Sequence, residues 1–109
     1  MKKEEIDEVL IKTFDFYPDF DSKELKTLEN SVHVTHLEPE TRFIEEGASA
    51  DKFYILVKGA VEIRFPEAES GKRIHTCEPG DIVGWSSLVL PRIYTADAVT
   101  VSDATLLTL

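Results

Sequence analysis

The sequence predicts a mainly β fold: a small antiparallel barrel or sandwich preceded by two short α-helices. Three observations carry this expectation. Apolar residues recur at helical spacing as far as Val32 and alternate with polar ones beyond it. Turn signals then follow one another at Glu38-Pro39, Gly47, Gly59, Gly71, Pro79-Gly80-Asp81, Pro91 and Ser102-Asp103, close to the roughly 8–12-residue spacing of all-β domains. Between them lie strand-like runs such as Val61-Glu62-Ile63-Arg64-Phe65, which puts Val61, Ile63 and Phe65 on one face and Glu62 and Arg64 on the other.

The elements follow in order. Ile6, Val9, Leu10 and Phe14 form the apolar stripe of a first helix and leave Glu4, Glu5, Asp7, Glu8 and Lys12 largely toward water. Pro18 ends it, and Asp21 opens a second helix, with Glu24 completing a capping box and Leu25, Leu28 and Val32 on its apolar side. Phe14, Phe16, Tyr17 and Phe20 cluster at the break, as a seam against the β part or a surface for a homodimer. A boundary near Ser31 separates a helical segment, residues 1–31, from a β part, residues 32–109. In the latter, strands are expected at Phe53–Val57, Val61–Phe65, Arg73–Cys77, Tyr94–Val101 and Ala104–Leu109. Gly47, Gly59 and Gly80 sit where hairpins reverse, and Pro79 presets the first dihedral of its turn.

With 109 residues the chain supports one domain, and 42% hydrophobic residues supply a core. Twelve Lys and Arg against 21 Asp and Glu give a net charge of -9, which disfavours nucleic acid and anionic membrane surfaces as partners of this segment. The longest uncharged stretch, Ile82 to Pro91, falls far short of the roughly 18–20 apolar residues that span a bilayer. The start, Met1-Lys2-Lys3-Glu4-Glu5, has no apolar run of the signal-peptide kind, and Cys77 has no partner for a disulfide; both fit a reducing cytoplasm.

Three stretches read together resemble the cyclic nucleotide-binding domain, the roll of catabolite activator proteins, protein kinase A regulatory subunits and cyclic nucleotide-gated channels. The first is Arg42-Phe43-Ile44-Glu45-Glu46-Gly47 with Ala50-Asp51-Lys52-Phe53-Tyr54-Ile55-Leu56-Val57-Lys58-Gly59, similar to that family's opening hairpins. The second is Pro79-Gly80-Asp81-Ile82-Val83-Gly84, similar to its proline-glycine-aspartate turn and the glycine that starts its phosphate-binding cassette. The third is Pro91-Arg92-Ile93-Tyr94-Thr95-Ala96, where the family has a proline-arginine pair and a downstream threonine. The resemblance covers roughly residues 21 to 109 and implies an eight-stranded double-stranded β-helix, the jelly-roll or cupin-like β-roll.

In such a cassette, free backbone N–H groups of a short helix meet the cyclic phosphate, an arginine neutralises it and a carboxylate after the glycine holds the ribose. The resemblance therefore points to Gly84, Trp85, Ser86, Ser87, Arg92, Tyr94 and Thr95 as candidate ligand-binding residues. Trp85 occupies the carboxylate position, and the segment from it to Arg92 is short for the family. The phosphate half of a site would rest on the Ser86 and Ser87 amides with Arg92 and Thr95, while the ribose half has no counterpart. Each residue also has a plainer role: Trp85 as a cap on the barrel, Arg92 paired with a carboxylate, Ser86 and Ser87 starting a short helix, Tyr94 packing on its strand, and Cys77 a buried inert thiol.

The implied function is regulatory and non-enzymatic: a sensor taking a cyclic nucleotide or other small anionic effector and signalling to an output module in a longer parent chain, with no cofactor beyond that ligand. A ligand-free interaction domain on the same roll is the alternative. A metal-dependent cupin enzyme is the third class, but His33 and His36, three apart on a strand, point to opposite faces, and the sequence assigns no metal site and no catalytic constellation.

Overall fold

The computed structural model describes residues 1–14, 30–65, 74–88 and 90–109. One helix, α1 (Lys3–Phe14), leads into eight strands: β1 (His33–Leu37), β2 (Arg42–Ile44), β3 (Tyr54–Lys58), β4 (Val61–Arg64), β5 (Ile74–Cys77), β6 (Ile82–Val83), β7 (Asp97–Thr100) and β8 (Ala104–Thr108). They form two four-stranded sheets, ordered β1-β8-β3-β6 and β2-β7-β4-β5, with antiparallel pairing throughout. Successive strands repeatedly cross from one sheet to the other, which is the winding of a β-roll. Of the expected second helix Asn30, Ser31 and Val32 are described: Asn30 and Ser31 are helical, whereas Val32 lies just past the helix, ahead of β1, and packs against the cluster around Leu10 and Leu107. Its start at Asp21, the aromatic residues at 16, 17 and 20, the turn at Gly71 and Arg73 lie outside the described residues.

Burial explains why β3 and β8 read as nearly continuous apolar runs. Leu56 and Leu106 point between the sheets with Ile44, Val61, Val83 and Ala98, while Ile55 and Leu107 point the other way and pack with Leu10 and Phe53. All four of these strand side chains have no solvent exposure. Helix α1 thus lies on the outer face of the β1-β8-β3-β6 sheet, with Ile6 and Val9 beside Leu10. Burying a leucine or isoleucine of this kind stabilises by roughly 1.5–3 kcal/mol. The outer face of the other sheet carries ion pairs instead, Arg64–Glu62 at 2.9 Å and Arg42–Asp97 at 3.6 Å.

Where the chain crosses from β1 to β2, a buried hydroxyl does the joining. Thr100 Oγ1 accepts a bond from the Thr41 amide at 2.9 Å and donates to the Glu38 carbonyl at 2.6 Å. Thr100 is the one fully buried polar residue among those described. The expected strand from Tyr94 begins only at Asp97, because the backbone just before it is occupied elsewhere. Tyr94 N donates to Ala48 O, Gly47 N to Tyr94 O and Ala50 N to Arg92 O, so residues 92–94 pair with the 47–50 loop rather than with β4.

Candidate functional site

The inner face of the β2-β7-β4-β5 sheet opens on a cavity of about 570 Å³. Register builds its wall. Ile44 lies opposite Ala98, Ala98 opposite Ile63, and Ile63 opposite His75, and all four line the cavity. Cys77, two residues beyond His75 on the edge strand β5, falls on the same face. The turn that follows is tightly held: Glu78 N donates to Asp81 Oδ2 at 2.8 Å and Asp81 N to Glu78 O at 3.0 Å. Gly80 N and Asp81 O then bond to the two backbone groups of Leu56 in β3, so the turn is tied across to the other sheet.

The cassette closes the cavity beyond β6. Gly84 has φ +92, and a Cβ there would stand 3.1 Å from the Lys52 carbonyl oxygen and 3.4 Å from Phe53 Cα. Only glycine suits both the conformation and the close approach. A single 3₁₀ turn, Trp85–Leu88, follows. Its Ser87 amide bonds to Gly84 O at 3.1 Å and is spent within the turn. Of the residues singled out in the sequence, Gly84, Trp85, Ser86, Tyr94 and Thr95 line the cavity together. Ser87 and Arg92 stand outside its wall; the Ser87 hydroxyl is buried with no hydrogen-bond partner among the described residues. Arg92 is exposed, with φ 59.

Tyr94 is a positioned side chain: its ring is buried and its hydroxyl donates to Lys52 O at 2.5 Å. Burial raises its phenol above the ordinary range, and raises that of Tyr54 likewise. Cys77 is 3% exposed, and burial, helped by the Asp81 carboxylate, pushes its thiol up to about 11. That agrees with an inert thiol in the metal-free chain.

Sequence reading missed two contributions. Lys12 and Thr13, at the end of α1, reach the cavity wall, which no local motif announces. Lys12 also pairs with Glu8 at 3.4 Å, both side chains being largely in water. His75, Cys77 and Asp81 place their ligand atoms within 4.8 Å of one another. The sequence carries the signal as two strand residues at alternate positions followed by a turn aspartate. His33 and His36 are both exposed on β1 and do not line the cavity; His36 Nδ1 instead lies 3.1 Å from Thr105 Oγ1.

Comparison with known proteins gives the same roll. The regulatory domain of Toxoplasma gondii protein kinase A, solved with cAMP, superposes with a TM-score of 0.83 at 24% identity, over 98% of this chain and 41% of that one. The regulatory subunit of a cAMP-independent protein kinase A from Trypanosoma cruzi, bound to guanosine, gives 0.83 at 21% identity, over 98% and 38%. A cyclic nucleotide-binding-like protein from Brucella abortus gives 0.75 at 23% identity, over 95% and 90%. The chain therefore spans about two fifths of the kinase regulatory chains, and identities this low carry the fold alone. No curated protein matches the sequence. No helix among the described residues is long and apolar enough to cross a membrane. The family model described as the cyclic nucleotide-binding domain matches residues 34–109, from β1 through β8. That span takes in most of the chain and the whole described roll, and the chain belongs to the cyclic nucleotide-binding domain family.

Proposed function

We propose that this domain is a regulatory sensor whose cavity takes a cyclic nucleotide or a related small anionic effector, passing the change to an output module in a longer parent chain or to a second copy. The observation that supports it is the cavity itself: about 570 Å³, within the roughly 300–1,000 Å³ of small-molecule sites, with the Gly84–Ser86 turn and Tyr94–Thr95 in one wall. Ser86 and Thr95 would donate to the anion. Arg92, two residues before Tyr94 and exposed, would swing inward to neutralise it, and Lys12 supplies a second cation at the wall. The role is regulatory rather than catalytic, does not involve nucleic acid through this acidic segment, and belongs in the cytoplasm, where a lone thiol stays reduced.

Trp85 in place of a ribose carboxylate sets the strength. A hydrogen bond with a charged partner contributes about 1.5–3 kcal/mol, so its loss weakens a nucleotide roughly ten- to a hundredfold. The test is a titration with cyclic AMP and cyclic GMP, followed by the fluorescence of Trp85, the single tryptophan, and by calorimetry. Saturable binding, reduced about ten- to a hundredfold by Arg92→Ala, supports the reading. A second reading, an interaction domain without a ligand, draws on the exposed apolar side chains of Trp85, Leu90 and Ile93 along the 85–93 segment. Absence of heat and of spectral change at millimolar nucleotide would favour it.

A further inference from the structure

We infer that His75, Cys77 and Asp81 form a binding site for a borderline-soft divalent cation of the zinc type in the wall of the cavity. The three ligand atoms, an imidazole nitrogen, a thiol sulfur and a carboxylate oxygen, lie within 4.8 Å of one another. Zinc with bonds of about 2.0–2.3 Å to such ligands separates them by roughly 3.3–3.8 Å in a tetrahedron. Closing the set thus asks for movements of about 1 Å. The side chains able to move are the exposed ones, His75 on an edge strand and Asp81 in a turn, while Cys77 is anchored in the core.

The backbone under them is already fixed. His75 pairs with Ile63 and Cys77 with Val61 in the β4–β5 ladder, so both project from one face. Asp81 is held by its turn and by the Leu56 amide, which donates to its carbonyl oxygen at 3.0 Å. Its Oδ2 accepts the Glu78 amide, which orients the carboxylate and leaves Oδ1 for a metal. The donor set decides the cation. Calcium and magnesium take oxygen ligands, whereas nitrogen with thiolate sulfur selects zinc and its neighbours. Three protein ligands leave a fourth position, and since all three line the cavity, that position opens toward it. On binding, Cys77 loses its thiol proton to solvent and His75 coordinates as the neutral ring, with no change of oxidation state. The site does not depend on whether a nucleotide enters the cavity.

The experiment uses the full chain, stripped with a chelator and titrated with cobalt(II) as a spectroscopic substitute and then with zinc. The expected result is one equivalent of cobalt, an intense sulfur-to-cobalt charge-transfer band in the near ultraviolet, and displacement by zinc. Cys77→Ala abolishes the band. His75→Gln, at an exposed position whose folding is checked by circular dichroism, weakens zinc more than about a hundredfold, beyond the 10–100-fold typical of outer-shell partners. His33→Gln with His36→Gln leaves the affinity unchanged. Cobalt bound without the band, affinity unaltered in a folded His75→Gln chain, or no saturable binding below millimolar metal would each overturn the site.

Discussion

In the β1-β8-β3-β6 sheet the central strands bury side chains on both faces, one toward the core and one beneath α1, whereas the β2-β7-β4-β5 sheet buries its inner face and shows paired charges outside. The inner face of that second sheet is also the one left partly unfilled, where the cavity opens. Rigidity and the capacity to bind are thus divided between two halves of one roll. The helix-backed sheet supplies most of the packing, and the sheet with paired charges on its outer face supplies most of the wall that a small molecule or a metal can reach.

The largest test of this division removes apolar volume from each side of the helix-backed sheet. Leu107→Ala and Leu106→Ala are each expected to lower unfolding free energy by about 2–5 kcal/mol in urea titrations. A loss below about 1 kcal/mol at Leu107 would mean that α1 does not seal that face. Next comes the joint between the sheets. Gly59, φ +98, sits on the crossing from β3 to β4, and a Cβ there would meet the Asp103 carbonyl oxygen at 2.3 Å and Ala104 Cα at 2.9 Å. Both are backbone atoms, so Gly59→Ala should destabilise by roughly 2–4 kcal/mol, combining a left-handed conformation with overpacking. Thermal melts of Gly59→Ala and Gly47→Ala side by side separate the two contributions, since nothing lies within 4 Å of a Cβ at Gly47.

Much of this architecture was legible before any coordinates. The alternation Val61-Glu62-Ile63-Arg64 is what one buried and one wet face require, and the apolar run Tyr54-Ile55-Leu56-Val57 is what two buried faces require. The cassette glycine at Gly84 and the turn around Gly80 were legible because positive φ restricts residue type. Pairings between distant loops were not. Tyr94 reads as the start of a strand because its neighbours alternate, and nothing local reveals that its backbone is already taken by Gly47 and Ala48. Convergence of Lys12 from α1 on a cavity built by β2, β4, β5 and β7 likewise has no sequence signature, since it depends on where the helix docks.

Smaller effects sharpen the contrast at the cavity and on the wet face. Tyr94→Phe deletes the hydroxyl that reaches Lys52 O and should cost about 1 kcal/mol, with little change in the circular dichroism of the fold. A loss several times larger would show that this bond, rather than ring burial, holds the 92–94 segment against the cavity. Smallest is Glu62→Gln, which breaks the Arg64 pair on the outer face. With both side chains partly in water, the change should stay within about 0.5 kcal/mol and shrink further in high salt.

The buried Thr100 hydroxyl has a use as a reporter. Thr100 is fully buried, and its hydroxyl donates its proton to the Glu38 carbonyl while accepting from the Thr41 amide. Such a proton exchanges only when the β1–β2 crossing lifts away from β7, an event that need not involve the rest of the roll. Its lifetime in a nuclear magnetic resonance spectrum would therefore time the breathing of one corner, and comparison with amide lifetimes in β3 and β8 would tell whether that corner opens alone or only as the two sheets come apart.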